Sequence, residues 1–254
     1  MTVISLSKHN IFSPIKICIS LFLCLKFCIS TQSVYAQEIS PENITNQVEQ
    51  HLAELFPSLN NIEITPTKIP DVYQFWIGTK LNYVQYKEGH IFLGELFDTN
   101  RKVSLAREAE QKRVSEIIAN IDEKDLIIYP AENEKHSISI FTDVKCHYCR
   151  KIHTDIPQLN KAGISVQYIA FPAFSQDINE HISVWCAENR HLAMDLAKKG
   201  TSIPKINCEN SIQESLKLGF DLGFRATPNI VYGNGQIAVG YRSPQQIIEH
   251  LAKK

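Results

Sequence analysis

Residues 141–153 read FTDVKCHYCRKIH and place two cysteines, Cys146 and Cys149, three positions apart directly after a short apolar run. The preceding SISIF (137–141) alternates isoleucine with serine, which is typical of a strand, and the residues from Cys146 onward predict a helix. Cys146 is then expected at the helix N-terminus, with Cys149 one turn further on the same face. This spacing brings the two Cα atoms to roughly 5–6 Å, within the range that a disulfide requires.

The predicted helix start determines the chemistry expected of this pair. Free N–H groups and the partial positive charge at a helix N-terminus stabilise a thiolate, so Cys146 is predicted to have a lowered pKa and to be the attacking sulfur. Cys149 lies deeper and is expected to resolve mixed disulfides. A stable thiolate is also a good leaving group, so the pair is suited to disulfide exchange.

The Cys-x-x-Cys pair has three alternative interpretations. A zinc site needs a second cysteine pair or a matching histidine set, and Cys186 and Cys208 do not form a second such motif. A c-type haem needs histidine directly after the second cysteine, where this chain has Arg150. A purely structural disulfide closing so short a loop would add little stability. His147 either favours the Cys146 thiolate electrostatically or is a solvated loop residue.

Composition limits the class of protein. The chain of 254 residues is 44% hydrophobic and 21% charged, as in an ordinary globular protein, which excludes disordered and fibrous classes. A formal net charge of −1 provides no basic field for nucleic acid.

The first 36 residues have the features of a secretory leader. Lys8 and Lys16 precede the apolar segment ICISLFLCL (17–25), and no acidic residue occurs. Val34 and Ala36 then occupy the −3 and −1 positions of a signal-peptidase site. We therefore expect cleavage after Ala36 and secretion of the remaining chain.

An uncleaved membrane anchor and a lipoprotein leader are the alternatives. Lys26 interrupts the apolar stretch, so no run reaches the ~18 apolar residues of a spanning helix. Neither Cys24, preceded by Leu23, nor Cys28, preceded by Phe27, follows the small residue expected before a lipidated cysteine.

Removal of the leader changes the charge and the cysteine count. It leaves 23 basic against 27 acidic residues, a net charge of −4, and four cysteines. An even number of cysteines in an exported chain permits disulfides. Because Cys146 and Cys149 form a local pair, Cys186 and Cys208 are assigned to each other as a structural disulfide, with two buried free thiols as the alternative.

The chain after the leader divides into three predicted segments. Residues 37–100 combine a helix with Ser40 as its N-cap and Pro41 as its first residue with short β-branched and aromatic runs, which predicts a helix plus a small antiparallel sheet. Residues 101–121 carry many charges and a sparse apolar stripe, which predicts a partly exposed linker helix. Residues 122–254 run strand, helix, strand, helices, hairpin, helix, the order of a thioredoxin-like α/β domain with a helical insertion.

Finer predictions follow from local signals. Hairpin turns are expected at Glu88-Gly89 and at Gly233-Asn234-Gly235. Residues 175–200 predict one long helical tract. In a thioredoxin-like domain, a cis proline precedes the strand that faces the dithiol, and Thr227-Pro228 fits that position, with a trans proline starting a strand as the alternative.

These residues resemble the periplasmic protein-disulfide isomerases of the DsbC/DsbG family. The likeness is carried by EKHSISIFTD, FTDVKCHYCRKIH, YIAFPAF, WCAENRHLAMDLAKKG…NC and LGFRATPNIVYGNGQIAVGY, and it extends through most of residues 122–254. Over residues 37–121 only the order and size of the segments match. The resemblance implies an α+β chain with a cystatin-like N-terminal dimerisation domain and two thioredoxin-like arms in a homodimer. It also implies the periplasm as the destination of the secreted chain.

The resemblance also implies roles for individual residues. Cys146 and Cys149 correspond to the active dithiol, Thr227 and Pro228 to the cis-proline loop that binds substrate, and Cys186 with Cys208 to the structural bridge. Between the active cysteines the family commonly has Gly-Tyr, whereas this chain has His147-Tyr148, so these two residues are expected to tune the redox poise.

The expected function is isomerisation of wrong disulfides in secreted proteins, with no cofactor or metal. An isomerase must be kept reduced, so a membrane thiol reductase of the DsbD kind is the expected electron donor. The alternatives are a DsbG-like reductase or chaperone with narrower clients, a plain dithiol oxidase, and a non-catalytic holdase that binds unfolded chains.

Overall fold

A computed structural model of the chain describes residues 41–57, 62–173 and 178–253. The predicted leader, residues 1–36, and the predicted cap residue Ser40 lie outside the described residues. Among the helices described, none combines the length and the apolar character needed to cross a bilayer.

A helix and a four-stranded antiparallel sheet form the N-terminal part, as predicted. The sheet has the order β1-β2-β3-β4. Its elements are α1 (Pro41–Leu55), β1 (Ile64–Pro66), β2 (Val72–Ile77), β3 (Lys80–Gln85) and β4 (His90–Phe92). Val48 and Leu52 of α1 are fully buried against Phe75 of β2 and Val84 of β3, because the helix and the sheet each present one apolar face. The turn predicted at Glu88-Gly89 connects β3 to β4, with Gln85 paired to His90.

The linker helix is shorter than predicted and more deeply packed. Residues 101–104 belong to a small hairpin of β5 (Phe97–Asp98) and β6 (Val103–Ser104), and α2 spans Leu105–Ala119. The helix starts there because the Ser104 side chain accepts a hydrogen bond from the Arg107 N–H, as an N-cap does. Contrary to the expectation of an exposed connector, α2 buries Ala106 against the N-terminal sheet and Val114 against the C-terminal core.

The C-terminal part has the predicted thioredoxin-like architecture. A five-stranded sheet has the order β11-β10-β8-β9-β7, in which β8 and β9 are parallel and the other neighbours antiparallel. A 3-10 turn (Glu123–Asp125) precedes the first strand of this part. In chain order the elements of the C-terminal part are β7 (Ile127–Tyr129), β8 (His136–Thr142), α3 (His147–Lys161), β9 (Ile164–Ala170), α4 (Asn179–Trp185), α5 (Arg190–Lys198), α6 (Ile212–Asp221), β10 (Asn229–Tyr232), β11 (Ile237–Val239) and α7 (Pro244–Ala252).

The helical insertion differs from the single tract predicted for residues 175–200. It consists of two described helices, α4 and α5, separated by residues 186–189. The Asn189 side chain accepts a hydrogen bond from the Leu192 N–H at 2.9 Å, so it caps a new helix rather than continuing the previous one. Apolar periodicity continues across this break, which is why the pattern alone did not reveal it.

Both faces of the central sheet are buried. Ile138 and Ile140 of β8 pack in a cluster with residues of α3, α5 and α7, whereas Phe141 packs on the opposite face with Val114 of α2 and Phe224. This alternation follows from the two-residue period of a strand. The sheet therefore holds the C-terminal end of β8 rigidly at the point where α3 begins.

Candidate active site

Cys146 lies at the N-terminus of α3, immediately after strand β8. It is the N-cap residue, with extended backbone angles, and its sulfur accepts a hydrogen bond from the Cys149 N–H at 3.4 Å. A side chain in this position takes up one of the backbone donors that a helix start leaves free. The local sequence thus directs a half-exposed sulfur toward the positive end of the helix.

The two cysteines ionise very differently in the dithiol form that the structure contains. The pKa of Cys146 is lowered to about 5, first by a hydrogen bond from the Cys149 side chain and further by the N–H groups of Cys149 and Tyr148. Burial raises the pKa of Cys149, which is fully inaccessible to solvent, far above that of a free thiol. At neutral pH the pair therefore carries its negative charge on Cys146.

Thr227 and Pro228 face this sulfur from the loop before β10. Their peptide bond is cis, and the Thr227 carbonyl oxygen lies 3.4 Å from the Cys146 sulfur. Both residues are buried. The fold thus brings together two motifs separated by 81 positions in the sequence.

His147 and Tyr148 lie at the exposed rim beside Cys146. The Tyr148 side chain is 56% exposed, and its ring stacks on Tyr241 with the centroids 6.3 Å apart. The His147 ring meets the edge of Tyr148 at 5.4 Å. These aromatic rings form a surface next to the reactive sulfur, and the redox-tuning role of His147 and Tyr148 stays a prediction.

A buried lysine beneath the dithiol was not identified by the sequence analysis. Lys198 at the end of α5 is only 4% exposed, and its ammonium donates to Thr142 Oγ1 at 2.6 Å and to the Asp143 carbonyl at 2.9 Å. A sequence signal did exist, since Lys198 lies four positions after Met194 on the buried stripe of α5. Lysine is rarely buried in proteins, so its presence on the apolar face of α5 was the available signal.

A second buried polar network lies further along α3. His153 has one ring nitrogen 3.1 Å from the Tyr168 hydroxyl and the other 3.1 Å from Asp195 Oδ1. Burial, together with the nearby charge of Lys198, lowers the pKa of His153 to about 4. The Tyr129 hydroxyl donates to the same Asp195 oxygen at 2.9 Å, so the network links α3 to both β7 and α5.

Cys186 and Cys208 form a disulfide in the structure, with their Cα atoms 5.7 Å apart. The bond joins the end of α4 to the segment that precedes α6. Among the described residues, no group of three histidine, cysteine or acidic side chains is arranged to hold a metal ion.

Comparison with known proteins identifies both parts of the chain. The family model of a thioredoxin-like domain matches residues 123–254, and that of the disulfide bond isomerase protein N-terminal domain matches residues 36–107. The thiol:disulfide interchange protein DsbC of Escherichia coli K12 is 30% identical over 209 residues, covering 80% of this chain and 86% of that protein. DsbC of Salmonella typhimurium is 31% identical over 205 residues, covering 79% and 84%.

A solved structure is also similar. The disulfide interchange protein from Neisseria gonorrhoeae aligns with a TM-score of 0.47 and 23% identity, over 53% of this chain and 100% of that one.

Proposed function

The chain belongs to the DsbC family of thiol:disulfide interchange proteins, and on that premise we propose that it isomerises wrong disulfides in exported proteins. The observation that carries the proposal is the placement of Cys146, which caps α3 with a lowered pKa beside the Thr227 carbonyl. Such a thiolate attacks readily and also leaves readily, so the bond that it forms can be broken again.

In the first step the Cys146 thiolate attacks one sulfur of a substrate disulfide. A mixed disulfide forms between Cys146 and the substrate, the substrate S–S bond breaks, and the second substrate sulfur leaves as a thiolate. In the second step another substrate thiolate attacks the substrate sulfur of the mixed disulfide. A rearranged substrate disulfide forms, and Cys146 is released as a thiolate with no net transfer of electrons.

Cys149 provides a second way to resolve the mixed disulfide. Its sulfur attacks Cys146, the Cys146–Cys149 disulfide forms, and the substrate leaves with a reduced thiol. Two electrons have then passed to the substrate, so a dithiol donor must reduce the protein again. We assign this step to a membrane thiol reductase of the DsbD kind, since an exported protein has no access to cytoplasmic reductants.

The loop at Thr227-Pro228 and the neighbouring aromatic rim supply a place for the substrate chain. An extended segment that runs past Cys146 can pair its backbone with the loop at Thr227, as in the addition of a strand to an exposed edge. Tyr148 and Tyr241 lie beside this path and can contact apolar side chains near the wrong disulfide. Contacts of this kind are tolerant of sequence, as an isomerase with many clients requires.

The N-terminal part is proposed to join two copies of the chain. β4 is an outer strand of its sheet, and Phe92 at its end and Leu93 just after it are 51% and 69% exposed. An outer strand with exposed apolar side chains favours pairing with another chain. In a homodimer the two dithiols can act on one substrate, which helps rearrangement more than it helps simple oxidation. The proposed leader, residues 1–36, would place this dimer in the periplasm.

Refolding of a multi-disulfide protein with scrambled bonds tests the proposal. Catalytic amounts of the wild-type protein should restore the native disulfides, and Cys146→Ser should remove this activity. Cys149→Ser keeps the attacking sulfur, so it should accumulate the mixed disulfide. A protein that oxidises dithiols but does not rearrange scrambled ones would instead be an oxidase, and full activity of Cys146→Ser would favour a holdase.

A further inference from the structure

The ammonium of Lys198 is buried, and within the described part of the chain no carboxylate forms an ion pair with it. Its two hydrogen-bond acceptors, the Thr142 hydroxyl and the Asp143 carbonyl, are both uncharged. The Asp143 carboxylate is itself buried and has its own partners, among them the Lys145 N–H at 2.8 Å and His181 at 3.5 Å. Burying a cation beside uncharged partners costs free energy of folding. An apolar side chain at this position would avoid that cost.

Lys198 and Cys149 converge on the same short segment at the end of β8. Lys198 donates to the carbonyl of Asp143, and the backbone of Asp143 hydrogen-bonds the Cys149 side chain. The charge of Lys198 acts to lower the pKa of Cys149, and the Cys149 thiolate in turn raises that of Lys198. Their charges are therefore coupled inside the protein, and Asp143 contacts both side chains.

Resolution of the mixed disulfide by Cys149 requires a base close to the Cys149 thiol. Cys149 is fully buried and is a thiol at neutral pH, yet it must become a thiolate before it can attack Cys146. Because the Cys149 side chain has no solvent-exposed surface, a buried group of the protein is better placed than bulk water to take its proton. Burial lowers the pKa of Lys198 to about 8, so its neutral form is accessible near physiological pH.

We propose that Lys198 accepts the proton of Cys149 when Cys149 resolves the mixed disulfide. The neutral amine of Lys198 takes the proton and becomes an ammonium, and the Cys149 thiolate attacks the sulfur of Cys146. The Cys146–Cys149 bond forms, the bond between Cys146 and the substrate breaks, and the substrate leaves as a thiolate. When a donor reduces the pair again, Lys198 returns the proton to Cys149. The inference rests on the dithiol exchange proposed above.

Several charged and titratable groups act on Lys198. Asp143, Cys146 and Cys149 favour its protonated form, and Arg150 opposes it. The groups that face this region are Cys146 at the N-cap of α3, Cys149, Arg150 and His153 of α3, Asp143 after β8, Tyr168 of β9, His181 of α4, Asp195 of α5, and Lys199 at the C-cap of α5. Of the two lysines in this group, Lys198 is the buried one, and its ammonium contacts Thr142 and Asp143 at the end of β8.

Reaction of the reduced protein with the chromogenic disulfide dithiobis(nitrobenzoate) separates the two steps. Attack by Cys146 releases one coloured thiolate, and resolution by Cys149 releases a second. Cys149→Ser identifies the second phase by abolishing it. The protein is purified after export of the full chain, and each variant is compared with wild type across a range of pH.

Lys198→Met should slow the second phase about 100-fold at neutral pH, as expected for loss of a positioned base. Its first phase should stay within about threefold of wild type, and its second phase should rise steadily with pH instead of levelling above the pKa of the lysine. Lys199→Met, which removes the exposed neighbouring charge, should behave as wild type. A second phase of unchanged rate and pH profile in Lys198→Met, or equal slowing of both phases, overturns the proposal.

NMR titration of isotope-labelled lysine in the wild-type protein gives a test that needs no variant at Lys198. One lysine should titrate near pH 8, and its titration should shift in Cys149→Ser. Titration of every lysine near the usual value of 10.5 contradicts the proposal. Failure to rearrange scrambled disulfides with a normal second phase would count against the isomerase function and leave the role of Lys198 intact.

Discussion

At the scale of single residues, burial separates side chains of the same type into different ionisation states. Cys146 at the helix start is accessible and has a lowered pKa, whereas Cys149 one turn later is buried and keeps its proton. The same principle applies to His153, which is held in its neutral form by burial among polar groups. This difference in burial allows one dithiol to contain both a nucleophile and a protected resolving thiol.

His153 is predicted to make the protein sensitive to acid. Its pKa is about 4 when folded and 6.5 in the unfolded chain, so the unfolded state binds a proton first as the pH falls. Above pH 6.5 His153 is neutral in both states and the free energy of unfolding keeps its full value. As the pH falls from 6.5 to 4, protonation of His153 in the unfolded chain lowers the free energy of unfolding by about 3 kcal/mol. Urea unfolding of His153→Gln should therefore show a weaker loss of stability over this range than the wild type.

Tyr168→Phe provides the control for this experiment. It removes a hydroxyl that lies 3.1 Å from the His153 ring but keeps the titrating group. This variant should be less stable than wild type at each pH, and its free energy of unfolding should fall with decreasing pH as steeply as that of the wild type. Parallel curves for His153→Gln and the wild type would show that the histidine does not contribute to the acid sensitivity.

At the scale of elements, close approach between the β10–β11 hairpin and α2 connects the dithiol domain to the linker helix. The Ser115 hydroxyl of α2 donates to the Gly233 carbonyl at 2.7 Å. A Cβ added at Gly235 would overlap the backbone carbonyl of Gln111 in the same helix. The turn can therefore lie against the helix only because this position has no side chain.

Gly235→Ala should destabilise the protein through this overlap. Gly223 has nearly the same backbone angle, φ +82° against +78°, but its added Cβ would meet nothing within 4 Å. Both alanines incur backbone strain, and only Gly235→Ala also forces the hairpin from α2, so it should cost about 1–3 kcal/mol more. Urea unfolding measures the difference, and equal losses for the two variants would mean that α2 yields without cost.

At the scale of the whole molecule, α2 packs against both the N-terminal sheet and the thioredoxin-like core. Ala106 near its start belongs to one cluster and Val114, two turns later, to another. A helix anchored at both ends transmits the orientation of one part to the other. In the proposed homodimer, this helix would set the separation of the two dithiols.

The homodimer is predicted to depend on the exposed apolar residues at β4. Leu93→Lys places a charge at the proposed contact and should convert a dimer to a monomer at micromolar concentration, as measured by sedimentation equilibrium. Dithiol oxidation should persist, because Cys146 is unaffected, while rearrangement of scrambled disulfides should fall. Ile69→Lys, at a 43% exposed position of the same part, should remain dimeric. A monomeric wild-type protein, or a dimeric Leu93→Lys, would contradict the assignment of this surface.

Short-range patterns were sufficient for much of the architecture. The alternation in β8 and the helix that follows Cys146 predicted the strand–helix junction. The turn residues Glu88-Gly89 and Gly233-Asn234-Gly235 predicted the hairpins β3–β4 and β10–β11, because backbone geometry and local hydrogen bonds depend on neighbours in the chain. The break at Asn189 and the late start of α2 were missed, since a single capping residue outweighed an apolar pattern that continued past it. The cis-proline loop was predicted from its place in the element order.

The sequence alone therefore determined the dithiol, its position at a helix start and the succession of elements around it. Only the tertiary structure decided which distant side chains lie beneath the dithiol, because the burial of a charge depends on packing between elements. Lys198 reaches Thr142 across 56 positions of the chain, and His153 reaches Asp195 across 42. No local pattern encodes contacts of this kind, and they determine which titratable groups lie buried near the dithiol and along α3.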